Sequence, residues 1–425
     1  ITRAREPIPD TLEAWTERLA GRLESADGEA AVKGLTDDSR QVEKGFLFFA
    51  RRGALADGRD WIRAAVEWGA AAVVVDRPVE APGTPCLRVA DVDAALLEAA
   101  DLYYGKPQDA LDLIGVTGTK GKTTMAWVAA AALRHAGIET ALLGTIAHEL
   151  GDGRVEAARN TTPGVLELRR LLAEARDLGC RAAVMEVSSH ALDQGRVAGL
   201  DFRAGVFTNL GHDHLDYHGD VETYFRSKKA LFCGLTPGAT AVLNREDGRW
   251  SEIATGCRGR VLTYGFEPDA DLRATAVHAS IEGTTFRFVV EGGRETEVVT
   301  TLTGRHNVLN LLAAIGAVSA LGVDPIAAAE GAASLDGVPG RLERIHPSGD
   351  LHVFVDYAHT PEALEQVLTF VRSSGAADLV CVIGCGGDRD RTKRPRMARA
   401  AATLCTRAWL TSDNPRSEDP AAILD

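Results

Sequence analysis

GVTGTKGKTT, running from Gly115 to Thr124, decides the fold. The apolar run Leu111 to Ile114 precedes it and the alanine-rich stretch Met125 to Ala136 follows, which predicts a strand, a glycine-rich loop and the start of a helix. Backbone N–H groups of such a loop point inward and the helix N-terminus adds the positive end of its dipole, so the segment cradles phosphate. Lys122 is placed to reach terminal phosphates and the Thr123 hydroxyl to ligate magnesium, with Gly118, Thr119, Lys120, Gly121 and Thr124 completing the cradle. The general phosphate-loop pattern asks for glycine where this chain has Val116; its glycines fall instead at Gly115, Gly118 and Gly121. The expected ligand is a nucleoside triphosphate.

Around this loop lie 425 residues, more than one ordinary core and enough for two or three domains. At 45% hydrophobic and 25% charged, the chain reads as globular. A net charge of −13 argues against broad nucleic-acid binding, since a polyanion is repelled, while a locally positive pocket still admits small anions. Seven scattered cysteines leave at least one unpaired, which fits a reducing cytoplasm. Cys381 and Cys385, on an apolar strand with no second ligand pair nearby, read as buried thiols rather than zinc ligands. No apolar run approaches membrane-span length, so no membrane or nucleic-acid partner is expected, and the expected assembly is a monomer. The chain begins at Ile1 and stops about three strands into its last unit, so residues are expected to be missing at the C-terminus.

Three α/β units follow from the pattern of strands and helices. In residues 1–106, GFLFFA, DWIRAAVEWGA and AAVVVD alternate strand and helix. In residues 107–338, LDLIGV, ALLGTI, AAVMEV, AGVFTN and TAVLN repeat strand then helix, which implies a parallel sheet covered on both faces. RATAVHAS, TTFRFVV and TEVVTTL then predict antiparallel strands added to that sheet. In residues 339–425, HVFVDYAH, LVCVIGCGG and RAWLTSDNPR begin a third alternating unit.

Ligands in open α/β sheets bind beyond the carboxyl ends of the strands, and that is where this chain places its unusual polar residues. Glu186 closes AAVMEV, Asn209 closes AGVFTN, Asp356 closes HVFVD and DNPR closes the last strand. Triphosphate chemistry needs a divalent ion held by carboxylates and a hydroxyl, so Glu186 reads either as a magnesium carboxylate or as a solvated loop acid. His212 and His214 flank Asp213 as further ligands, with capping or core roles as the alternative. Lys228 and Lys229 lie in YFRSKKALF, a helical pattern turning Tyr224, Phe225, Leu231 and Phe232 inward, and on pattern alone both lysines are solvated.

GTKGKTT, NTTP, MEVSSHALDQGR, TNLGHDHLDYHG, GRHNVLN, GRLE, DYAHTP, GCGGDRD and DNPR, in this order and covering nearly the whole chain, resemble the Mur ligase family. The match is to members that add meso-diaminopimelate to UDP-N-acetylmuramoyl-L-alanyl-D-glutamate. The resemblance implies three domains: an N-terminal one for the uridine substrate, a central ATPase, and a Rossmann-like C-terminal domain, here incomplete. It implies that ATP phosphorylates a substrate carboxylate and that the incoming amine displaces phosphate. It assigns Lys122 and Thr123 to phosphate and magnesium, Glu186 and His214 to magnesium, and makes Lys228 a carbamylated lysine beside the metal, so that Lys122, Glu186, His214 and Lys228 are the catalytic set. Asn307, Arg341 and Asp356 become nucleotide contacts. Asn160, Thr161, Thr162, Ser188, Gln194 and Arg196 become contacts to the muramoyl peptide, and Ser39 to uridine.

Diaminopimelate is lysine with a second carboxylate, so selecting it needs a cation that lysine would leave unpaired. The resemblance places Arg416, with Asp413, Asn414 and Pro415, and Arg389 at that pocket; in isolation DNPR also reads as a turn with an incidental arginine. The family's later Gly-Lys-Gly-His-Glu segment is absent. The competing readings are the same reaction with L-lysine, folylpolyglutamate synthesis, which EVSSHALDQGR and DNPR disfavour, and an incomplete nucleotide-binding protein without ligase activity.

Overall fold

The computed structural model describes residues 8–24, 27–53, 57–79, 85–345 and 351–425. Its first sheet has five strands in the order Arg22–Glu24, Cys86–Arg88, Ala72–Val75, Phe46–Phe49 and Gly34–Thr36, parallel except for the first. Both faces are covered, which is why FLFF is apolar at every position. Leu47 and Phe49 face Trp15, Leu87 and Leu96, whereas Phe48 joins Ile62, Ala65 and Val73 on the other side. Helix Val92–Tyr104 starts at an Asp91 cap and ends at left-handed Gly105, carrying the chain toward the central sheet.

Among the described residues the central sheet has eleven strands. Its parallel middle runs Arg260–Gly265, Thr240–Asn244, Phe202–Phe207, Asp112–Thr117, Ala182–Glu186 and Thr140–Leu143, so the phosphate-loop strand lies inside the sheet between two neighbours. The antiparallel addition is present as Leu272–Ser280, Gly283–Val290 and Glu295–Thr300. A second antiparallel extension, Ala147–Glu149 with Val155–Ala157, lies at the opposite edge and carried no sequence signal. Helix Lys122–His135 is buried along most of its length; alanine lets it pack closely, and Arg134 and His135 in its last turn complement the dipole. It shares one core with helices Arg305–Ser319 and Pro325–Ala333. The loop is shorter than the sequence implied: Gly115 to Thr117 remain in the strand, and the helix begins at Lys122, three residues before Met125.

The third unit departs from the expected run of alternating strands. Among the described residues it contains two separate two-stranded sheets. Val353–Val355 pairs antiparallel with nearby Glu343–Ile345, because strands close in sequence pair most readily in that sense. Val380–Ile383 and Arg407–Leu410 form a parallel pair, with helices Pro361–Ser373 and Lys393–Leu404 packed together over a small core that includes Leu364, Cys381 and Met397.

Candidate active site

Parallel register brings the polar strand ends together. Glu186 lies level with Val116, and Phe207 level with Thr117, so Gly118, Val187 and Thr208 all leave the sheet at one edge. The loop is fastened to the neighbouring strand end: Asn209 Oδ1 accepts from Lys120 N at 3.0 Å, and its Nδ2 donates to Lys120 O at 3.1 Å. Gly118 and Gly121 are required here. Both have left-handed φ (+149° and +86°), and an added Cβ would lie 1.9 Å from Thr208 Oγ1 and 2.4 Å from Asn310 Oδ1 respectively.

Glu186 is 1% exposed and stands at the centre of a hydroxyl network. It accepts from Thr123 Oγ1 at 3.1 Å, Thr145 Oγ1 at 3.1 Å and Thr145 N at 2.8 Å. Burial this deep with several donors excludes the solvated-acid reading. Thr145 was not singled out in the sequence; its signal is the Gly-Thr pair at the end of a strand adjoining that of Glu186, where a Cβ on Gly144 would come within 2.5 Å of Glu186 Oε1.

The same network continues to the residues assigned to the muramoyl peptide. Thr145 Oγ1 meets Thr161 Oγ1 at 3.0 Å, and Thr162 Oγ1 donates to the Glu186 carbonyl at 2.9 Å and accepts from Ser188 N at 3.0 Å. Arg196 donates to Thr162 O at 2.9 Å and, through Nε and Nη2, to Gln194 Oε1 at 3.0 and 2.6 Å. Asn160 is exposed at the head of this segment. Ser39, 9% exposed, lies in the N-terminal unit on a short 3-10 turn capped by Asp38. Arg51 and Asp37 from that unit act electrostatically on Arg196, and Arg159 acts on Asp38.

The lysines behave differently from one another. Lys122 Nζ folds back on its own loop, donating to Gly118 O at 2.9 Å and Thr119 O at 3.1 Å. Lys228 is 1% exposed and donates to the same Gly118 O at 2.9 Å, its ammonium 4.2 Å from the Tyr224 ring centroid. Burial, reinforced by Lys122, pushes the Lys228 pKa well below its ordinary 10.5. Lys229 is only half-buried, so the sequence pattern misjudged Lys228 alone. Lys120 is exposed and reaches the third unit, where Nζ meets Gln366 Oε1 at 3.2 Å.

His214 has left-handed φ (+53°) and keeps 48% of its side-chain exposure; the partial desolvation of its ring lowers its pKa, which favours the neutral imidazole, the form that ligates metals. His190, which the sequence did not flag, packs edge-on against His214 at 4.8 Å and also contacts Tyr217 at 4.2 Å. His212 is exposed. Among the described residues no group of three or more His, Cys, Asp or Glu side chains forms a metal cage. The available donors (the Thr123 hydroxyl, the Glu186 carboxylate and the His214 ring) suit a magnesium ion that shares its coordination with phosphate oxygens.

Of the residues that the resemblance assigns to the nucleotide, Asn307 is buried in helix Arg305–Ser319 and accepts from Asn310 Nδ2 at 3.0 Å, which places both next to Gly121. Arg341 Nη2 meets Thr123 Oγ1 at 3.3 Å while its guanidinium sits 4.7 Å from the Tyr357 ring. Asp356 is exposed and holds the backbone, accepting from Leu342 N at 2.7 Å and Ala358 N at 2.8 Å. The Arg389 and Asp413–Arg416 loops form a separate cluster beyond the strands Val380–Ile383 and Arg407–Leu410, and among the described residues no hydrogen bond joins them to the Glu186 network.

Comparison with known proteins agrees with this geometry. Residues 31–104 match the profile "Mur ligase family, catalytic domain", residues 116–318 "Mur ligase middle domain", and residues 340–425 "Mur ligase, glutamate ligase domain". The UDP-N-acetylmuramoyl-L-alanyl-D-glutamate–2,6-diaminopimelate ligase of Geobacter metallireducens is 44% identical over 92% of this chain and 78% of its own length. That of Gloeobacter violaceus is 45% identical over 93% of this chain and 80% of its own. A solved structure of a ligase of the same name superposes with a TM-score of 0.70 at 33% identity, covering 94% of this chain and 82% of that one. A phosphate loop of GT-x-GK form, a buried lysine against it and identity at this level over most of both chains have one explanation: the chain belongs to the Mur ligase family.

Proposed function

We propose that this protein is an ATP-dependent amide ligase of peptidoglycan precursor synthesis that joins meso-diaminopimelate to UDP-N-acetylmuramoyl-L-alanyl-D-glutamate. The observation that carries this reading is the unbroken hydrogen-bond chain from Thr123 through Glu186 to Thr162, Ser188 and Arg196, which ties the phosphate loop to the peptide residues. A carboxylate is a poor electrophile. Attack of its oxygen on the terminal phosphorus of ATP forms an acyl phosphate and releases ADP; attack of the amine on the acyl carbon then forms the amide and releases phosphate. The protein's task is positioning and charge neutralisation rather than covalent help.

Lys122 exchanges its two loop carbonyls for the terminal phosphate. Asn307, Arg341 and Asp356 line the nucleotide side; Ser39, Asn160, Thr161, Thr162, Ser188, Gln194 and Arg196 hold the uridine substrate; Arg389, Asp413, Asn414, Pro415 and Arg416 hold the amino acid. Thr123, Glu186, His214 and a carbamylated Lys228 would hold a magnesium ion, which would supply positive charge against the phosphates. The lowered Lys228 pKa supports carbamylation, because the free amine adds to carbon dioxide, forming an N–C bond and releasing a proton. As an ammonium this residue repels the ion; as a carbamate it attracts it. We read the units as 1–106, 107–338 and 339–425 and the protein as a cytoplasmic monomer without nucleic-acid or membrane partners; the net charge of −13 argues against broad nucleic-acid binding, and no helix of the described residues is long and apolar enough to cross a membrane.

Phosphate release measured with ATP and the uridine dipeptide, with diaminopimelate or L-lysine as acceptor, tests the reading. Release that depends on both substrates and favours diaminopimelate is expected. Equal rates with the two acceptors would sink the assignment of Arg416, and no substrate-dependent release would sink the ligase.

A further inference from the structure

The loops carrying Arg389 and Arg416 are held together by a residue outside the scheme above. Glu418 keeps only 10% of its side-chain exposure, and both of its oxygens are engaged. Oε1 accepts from Asp388 N at 2.6 Å and Arg394 Nη2 at 2.8 Å; Oε2 accepts from Arg394 Nη1 at 3.1 Å and forms an ion pair with the exposed Arg391, whose Nη2 lies 3.0 Å away. This is a bidentate guanidinium pair with a backbone N–H and a second arginine added, and Arg394 holds the Glu418 carboxyl below the ordinary carboxylate range.

Glu418 follows DNPR by two residues, whereas Asp388 and Arg394 belong to the GCGGDRD loop and the helix after it, so the pairing is a bond between loops. Ser417 adds to it, donating through Oγ to Asp388 Oδ1 at 2.7 Å and through N to Oδ2 at 3.1 Å. The approach is too close for side chains: a Cβ on Gly387 would sit 1.9 Å from Pro415 O. Asp388 and Arg416 both hold left-handed backbone (φ +52° and +49°), which non-glycine residues keep only where surrounding contacts impose it. Within this frame Arg416 Nη1 donates to Gly387 O at 2.7 Å, and among the described residues its Nε and Nη2 have no partner. Those two nitrogens form the side-on fork that grips a carboxylate.

We propose that Glu418 is a positioning residue for selection of the acceptor amino acid: by clasping Arg394 and Arg391 it fixes the DNPR loop on the GCGGDRD loop and aims the Arg416 fork at the second carboxylate of a diamino diacid. This rests on the reading of Arg416 given above. The charge is needed as well as the shape, since an amide at this position would turn an N–H₂ toward guanidinium donors.

Steady-state kinetics of Glu418→Gln, Glu418→Asp and Arg416→Ala, with each substrate varied in turn, test it. Glu418→Gln is expected to raise the KM for diaminopimelate about tenfold, leave kcat and the KM for ATP within about twofold, and reduce the preference for diaminopimelate over lysine by a similar factor. Glu418→Asp, which keeps the charge, is expected to restore part of the preference. A Glu418→Gln enzyme with unchanged preference, or with all three KM values raised together and a lower melting temperature, overturns the proposal. If the preference also survives Arg416→Ala, the reading of Arg416 itself falls; if it is lost in Arg416→Ala but kept in Glu418→Gln, only the clasp falls.

Discussion

The two ends of the site are built on opposite plans. At the proposed phosphate end three central groups are inside the protein: Thr123, Glu186 and Lys228 are 5%, 1% and 1% exposed, held by the parallel sheet and by helices packed on the loop. At the proposed amino-acid end Arg389, Asp413, Asn414 and Arg416 are exposed, and loops are held on loops by ion pairs and glycine contacts. A phosphate transfer common to every substrate tolerates a rigid, buried frame. Choice of an amino acid is better placed on surface loops that change without disturbing a core. The plans also differ in electrostatics, since burial depresses basic groups at one end and arginines depress acidic groups at the other.

Lys228 is the sharpest way to break this comparison. Lys228→Ala is expected to lower turnover on the order of a thousandfold, in line with losing a charge aimed at the reacting phosphates. A short carboxylic acid added to the assay should recover part of it by supplying the missing anion. Full activity without the acid would mean that the lysine only fills the core beneath Gly118.

Crowding gives the next largest effect. Gly121 and Gly375 both have left-handed φ, +86° and +94°, but a Cβ at Gly121 meets Asn310 Oδ1 at 2.4 Å whereas nothing lies within 4 Å of one at Gly375. Gly375→Ala should cost only the backbone strain, about 1–2 kcal/mol in denaturant unfolding. Gly121→Ala should cost more than that and also weaken ATP binding, measured calorimetrically. Equal costs at the two sites would mean that the loop is softer than its contacts imply. Smaller still, Arg416→Lys should lower kcat/KM for diaminopimelate about tenfold relative to lysine, because a lysine ammonium lacks the guanidinium's two-pronged fork.

How legible each end was in the sequence follows from the same contrast. Parallel strands all aim their carboxyl ends at one edge, so the polar residues closing AAVMEV and AGVFTN could be grouped from the strand pattern alone. Thr145 closes ALLGTI in the same way and was missed because a lone Gly-Thr looks like any turn. Lys228 was marked by helical spacing: Tyr224, Phe225, Lys228, Leu231 and Phe232 form one buried face. Lysine's usual exposure hid it until the family resemblance intervened. Nothing local distinguishes Glu418 from the other charges near DNPR, since its partners come from a loop 30 residues earlier and a helix 24 residues earlier. The third unit's paired two-stranded sheets were equally silent, because short apolar runs state that strands exist but not which neighbour each one takes.

Acid should separate the two ends by order of failure, the smallest of these effects. Burial lowers His190, His214 and His218 below the ordinary 6.5, so the unfolded chain takes up protons that the folded state refuses. Stability at the phosphate end therefore falls as pH drops below about 6.5 toward the lowered folded values. Asp388 and Glu418 are also lowered but for the opposite reason, since the Ser417 hydroxyl and Arg394 respectively favour their charged forms, below the ordinary 3.8 and 4.5. What they contribute is fully present above those values and is lost as pH falls through the lowered ones. Amide hydrogen exchange between pH 6.5 and pH 5 should thus lose protection first around Ser189 and His218, whose Oγ and Nε2 lie 2.9 Å apart, with the 384–418 loops unchanged until below about pH 4.5. His218→Asn should flatten the upper part of that profile. If the 384–418 loops opened first, their ion pairs would be weaker than the burial of the histidines, and the contrast between a built-in phosphate end and a clasped amino-acid end would be reversed.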